Sequence, residues 1–122
     1  VAKILLVEDS ELVREAVAAI LEQEGHILTI AENGEEGLAK LQSTAFDLVI
    51  ADLWMPKMDG LAMLKKSRAL GDMPPVIVLS GGGPQAPLEL SASLADANGA
   101  VAVLFKPCED EELLSAVNKA LL

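Results

Sequence analysis

Lys3-Ile4-Leu5-Leu6-Val7-Glu8-Asp9 is a short apolar run that ends on two carboxylates. The pattern recurs along the chain. Phe46 to Ala51, apolar apart from Asp47, runs into Asp52; Val76 to Leu79 runs into Ser80; Val101 to Phe105 runs into Lys106. Near-continuous apolar runs of this kind suit strands of a parallel sheet covered on both faces. In one parallel sheet the C-terminal ends of these strands share an edge. Three carboxylates, a hydroxyl and an ammonium would then meet in the crevice where open α/β sheets bind ligands.

The stretches between the runs read as helices. Leu12, Val13, Ala16, Val17, Ile20 and Leu21 repeat at helical spacing, with Ser10 as N-cap and Gly25 as the stop. Ile27 to Ala31 forms a further strand, preceded by His26, which is read as solvent-exposed. Asn33-Gly34 turns the chain into a second helix carrying Leu38 and Leu41, and Asp59 caps a third that Gly71 ends. Gly81-Gly82-Gly83-Pro84 is a loop, Leu88 to Ala97 a weaker fourth helix. Pro107 suits the entry to a last helix, whose positive N-terminal end Glu109 to Glu112 favour. The fold class is therefore α/β: a doubly wound parallel sheet, (βα)5, with right-handed crossovers and strand order 2-1-3-4-5. Strands 1 and 3 lie side by side, which brings Glu8, Asp9 and Asp52 together.

Composition narrows the function. The 122 residues are expected to form one domain, 1–122, with 52% hydrophobic residues but only two Phe, one Trp and no Tyr, so the core is aliphatic. The formal net charge of −10 opposes direct binding of nucleic acid, whose phosphates need Lys and Arg. No run approaches the roughly 20 apolar residues of a membrane span, and no signal peptide is visible. Cys108 is the single cysteine, so no internal disulfide forms and a cytoplasmic location is expected.

Three clustered carboxylates repel one another and call for a cation. Oxygen donors with room for water favour a hard divalent ion: Mg²⁺, with Mn²⁺ as the second choice. A carboxylate beside such an ion can attack phosphorus and become an acyl phosphate, while the metal and a lysine neutralise the transferring group.

Asp52-Leu53-Trp54-Met55-Pro56-Lys57-Met58-Asp59-Gly60 resembles the phosphorylation-site motif of receiver domains in two-component response regulators. The pair Glu8-Asp9, Ser80 after the fourth run and Lys106-Pro107 after the fifth match that family in order and spacing, over essentially the whole chain. The resemblance implies a flavodoxin-like fold and a phosphoacceptor signalling switch rather than a classical enzyme. It implies that Asp52 takes a phosphoryl group from a phosphohistidine on a histidine kinase or histidine phosphotransfer protein. By the same resemblance Asp9 binds Mg²⁺ directly, Glu8 acts in its outer shell, and the Trp54 backbone carbonyl is a further ligand. Lys106 pairs with Asp52 and then with the phosphoryl group, Ser80 moves toward a phosphoryl oxygen, and Lys106-Pro107 is the family's cis-peptide position. The family's output face, made of its fourth helix, fifth strand and fifth helix, is the expected surface for a partner or homodimer.

Two positions depart from the family. Its switch aromatic falls at Val103, which has no ring to swing, and Ser80 is followed by three glycines. Ordering of the loop Gly81 to Pro84, with Gly81 and Gly82 at its start, is the expected substitute for the aromatic. The competing reading is a degenerate receiver that binds partners without phosphorylation. The missing aromatic favours it; the complete acid, serine and lysine set opposes it.

Overall fold

In the computed structural model, residues 2–52, 60–71, 74–80, 100–105 and 109–122 are described. Among them, five parallel strands form one sheet in the order β2-β1-β3-β4-β5. The strands are β1 (Lys3–Val7), β2 (Ile27–Ala31), β3 (Leu48–Asp52), β4 (Val76–Ser80) and β5 (Ala102–Phe105). The helices are α1 (Glu11–Gln23), α2 (Gly34–Ser43), α3 (Gly60–Leu70) and a C-terminal helix, Asp110–Ala120. The strand order and the parallel α/β architecture are those the apolar runs imply.

Strand alternation divides the core in two. Ile4 and Leu6 of β1, Leu48 and Ile50 of β3, and Ile77 and Leu79 of β4 face Val17 and Leu21 of α1 and Leu113 and Val117 of the C-terminal helix. Leu5 and Val7, Val49 and Ala51, and Val76 and Val78 form the other layer with Met63 of α3, edged by Leu38 and Leu41 of α2. Both faces of β1, β3 and β4 are thus covered, which is why these strands read as unbroken apolar runs rather than alternating ones. Met63 is fully buried, in keeping with a packing role.

Local signals set the helix ends. Ser10 caps α1, its hydroxyl accepting the Val13 amide. At the far end Gly25 takes φ +89°, its amide donates to Glu22, and the His26 amide donates to Leu21. This is a Schellman turn, and the left-handed φ is the reason for glycine there. Asn33 caps α2 through a 2.9 Å bond from the Glu36 amide. Gly71, at φ +141°, follows α3 as expected.

Four boundaries, among them the end of β3, which takes in Asp52, and one burial state differ from the sequence reading. β3 begins at Leu48, not Phe46, because Asp47 leaves the ladder: its carboxylate accepts the Lys3 amide at 2.8 Å, and its own amide donates to the Lys3 carbonyl. β4 extends through Ser80, which pairs with Phe105. β5 begins at Ala102, one residue later than read, with Val101 exposed beyond its start. His26 is half-buried rather than exposed, because its Nδ1 accepts the Ala2 amide at 3.2 Å. The expected 88–97 helix, the Asp59 cap and Cys108 lie outside the described residues.

Candidate phosphoacceptor site

The sheet register builds the site. Val7 of β1 pairs with Ala51 of β3, so the next residues, Glu8 and Asp52, stand level at the C-terminal edge. Asp52 pairs with Leu79, so Ser80 stands one step beyond it. Ser80 in turn pairs with Phe105, which places the backbone leading into Lys106 next along the same edge. Three described strand ends therefore bring Glu8, Asp52 and the backbone of Ser80 to one edge.

Glu8, Asp9 and Asp52 each bring a carboxylate oxygen to within 4.8 Å of the others. Glu8 is fully buried and Asp52 is 4% exposed, whereas Asp9 lies at the surface. The buried pair is a costly arrangement for two like charges in a medium less polar than water. An all-oxygen donor set with one side open to solvent fits a hard divalent cation that keeps several of its waters. It does not fit a soft metal, which prefers thiolate or imidazole. Ser80 belongs to β4 by its backbone. Trp54, Gly81, Gly82, Lys106 and Pro107 lie outside the described residues.

The loop that carries the acidic pair is held by bonds absent from the sequence reading. The Glu8 amide donates to the Ala31 carbonyl at 3.0 Å, and Glu8 Oε2 accepts the Ser10 amide at 3.1 Å. Arg14 Nη1 donates to the carbonyl of Glu8 at 3.0 Å and to that of Asp9 at 3.1 Å. Its other terminal nitrogen, Nη2, stands 3.9 Å from Glu32 Oε1. Arg14 sits in the first turn of α1, where side chains lean back toward the helix N-terminus. A basic residue five positions after an acidic strand end, on a helix that starts between them, is a signal from which this contact could have been anticipated.

Residues 4–118 match the family model described as response regulator receiver domain. This chain belongs to the receiver domain family. The receiver is 32% identical over 115 residues to the transcriptional regulatory protein DltR of Streptococcus agalactiae, covering 94% of this chain and 50% of DltR. It thus spans about half the length of the curated relatives it matches first. Its fold superposes with a TM-score of 0.86 on a CheY-like receiver domain protein from Methanospirillum hungatei, 32% identical, covering 98% of this chain and 92% of that one. It superposes at 0.87 on the receiver domain of a signal transduction histidine kinase from Syntrophus aciditrophicus, 33% identical, covering 99% of this chain and 90% of that one. Receiver domains are signalling switches rather than classical enzymes and bind Mg²⁺ at an acidic pocket; this chain has an acidic cluster of Glu8, Asp9 and Asp52. Among the described residues, no helix is long and apolar enough to cross a membrane.

Proposed function

We propose that this receiver, acting as one unit over residues 1–122, is a phosphoacceptor switch in a two-component or phosphorelay system, with Asp52 as the acceptor. A carboxylate oxygen of Asp52 attacks the phosphorus of a phosphohistidine on a histidine kinase or histidine phosphotransfer protein. The new O–P bond forms as the P–N bond breaks, and the imidazole leaves with the electron pair. The observation that carries this reading is the buried Glu8–Asp52 pair, with Asp9 beside it, at the C-terminal edge of a parallel sheet.

In this reading Asp9, Asp52 and the Trp54 carbonyl would hold Mg²⁺, and Glu8 would contribute through water; Mn²⁺ is the alternative ion. The bound ion would neutralise charge on the transferring phosphoryl group. Lys106 supplies a positive charge to the same group, and Ser80 donates its hydroxyl proton to a phosphoryl oxygen. With valine at position 103, ordering of Gly81 to Pro84 on phosphorylation would take the place of the aromatic switch. The output is an altered contact with a partner, an attached output domain or a second copy. The domain itself does not bind nucleic acid, and its setting is the cytoplasm.

The test is intact mass after incubation with Mg²⁺ and acetyl phosphate, compared with Asp52→Asn. The gain of one phosphoryl group in the parent alone is the expected result. No gain with acetyl phosphate or with a panel of phosphorylated kinases would favour the second reading, an interaction module that works without phosphorylation. Val103, where the family's switch has an aromatic, is the observation that keeps that reading in view.

A further inference from the structure

We infer that Arg14 is a positioning residue for the metal site: by holding the carbonyls of Glu8 and Asp9, it fixes the backbone from which both carboxylates enter the acidic cluster. The inference rests on the metal-site reading above and deepens it.

The geometry is specific. One nitrogen, Nη1, bonds two successive carbonyls, at 3.0 Å to Glu8 and 3.1 Å to Asp9. These carbonyls belong to the first two residues after β1, just where the ladder ends and the chain must turn into α1. The Arg14 side chain is only 17% exposed, so the guanidinium is held in place rather than moving freely in solvent. Glu8 Oε2 accepts the Ser10 amide on the same short segment. The carbonyls are drawn toward α1 by Arg14, and the Glu8 carboxylate is oriented by the helix start. The 3.9 Å approach to Glu32, which is 66% exposed, is a rim contact and adds little to this hold.

Charge and position make opposite predictions for the same residue. A guanidinium near a divalent-cation site repels the cation, so a purely electrostatic Arg14 weakens metal binding, and its removal tightens it. A positioning Arg14 strengthens binding by keeping two carboxylates in place, and its removal loosens it. The sign of the change in affinity therefore separates the two.

The experiment is calorimetric titration of the parent, Arg14→Ala and Arg14→Lys with Mg²⁺ alone. Circular dichroism and thermal unfolding in EDTA accompany it to establish that each variant is folded. Loss of a partner that orients a metal ligand typically weakens binding by about 10–100-fold, and Arg14→Ala is expected at about tenfold. Arg14→Lys keeps the charge and the aliphatic stem but lacks the planar fork, and about threefold weakening is expected of it. If Arg14→Ala proves unfolded, Arg14→Lys decides alone. An unchanged or tighter Mg²⁺ affinity in the folded variants, even with a lowered unfolding temperature, overturns the inference and leaves Arg14 a merely structural residue. Failure of the parent to bind Mg²⁺ overturns the metal-site reading itself, and the positioning role with it.

Discussion

Replacing Asp52 by Asn is expected to stabilise the metal-free protein while reducing the stabilisation that Mg²⁺ confers. The ligand oxygens of Glu8, Asp9 and Asp52 lie within 4.8 Å of one another, and Glu8 and Asp52 are both buried. At an effective dielectric of about 20, two unit charges at that spacing repel by about 3.5 kcal/mol. This is a gross figure for the buried pair; Asp9 is exposed and screened, and Arg14, bonded to the carbonyls of Glu8 and Asp9, offsets part of the repulsion. A net gain of about 1–2 kcal/mol remains on that electrostatic scale. For a domain of this size it raises the unfolding temperature by about 4–8 °C. Mg²⁺ acts in the opposite sense, stabilising the parent by about 1.4 kcal/mol at ten times its dissociation constant. Asn at position 52 removes the charge of one of the two carboxylates that would bind the ion directly, so the variant should keep less than half of that shift. The assay is thermal unfolding of both proteins in EDTA and in a Mg²⁺ series. An Asn variant that melts below the parent in EDTA would refute the reasoning, because the cluster would then be held by something stronger than its own repulsion. So would an undiminished Mg²⁺ shift.

Two further predictions concern the scaffold. A Cβ at Gly37 would lie 2.8 Å from Val7 Cγ2 and 2.9 Å from Met63 Sδ. The Met63 side chain can bend away, but Val7 is fixed in the sheet, so Gly37→Ala should cost about 1–2 kcal/mol net of alanine's better helix propensity; urea denaturation checks it, and a stabilised variant would contradict it. Asn33→Ala removes the cap that accepts the Glu36 amide and should cost about 1 kcal/mol, read as a lower urea midpoint with unchanged slope.

The legibility of this chain follows from which features are local. The strands buried on both faces had to be apolar throughout, so β1, β3 and β4 are legible as runs, and the endings of β1 and β3 make the clustering of Glu8, Asp9 and Asp52 legible too. Ser10, Asn33 and Gly25 carry their own turn and cap chemistry and marked the helix ends. Asp47 was harder to place, since its departure from β3 depends on Lys3, 44 positions away. The burial of His26 is not legible in the sequence because its partner, the Ala2 amide, is a neighbour only once β1 and β2 pair. The role of Arg14 is hidden in the sequence for a related reason. The residue contacts backbone carbonyls, which leave no trace in the pattern of side chains, and its role appears only when the β1 end and the first turn of α1 are seen together.

The central claim is that Asp52 carries the phosphoryl group, and it can be tested at the level of the residue. The receiver is incubated with Mg²⁺ and acetyl phosphate, reduced with borohydride, which converts an acyl phosphate to an alcohol, and mapped by peptide mass spectrometry. Homoserine at position 52, dependent on both Mg²⁺ and the phosphodonor, is the predicted result. Aspartate retained at position 52, with homoserine at another carboxylate such as Asp9 or with no reduction anywhere in the chain, would contradict the account.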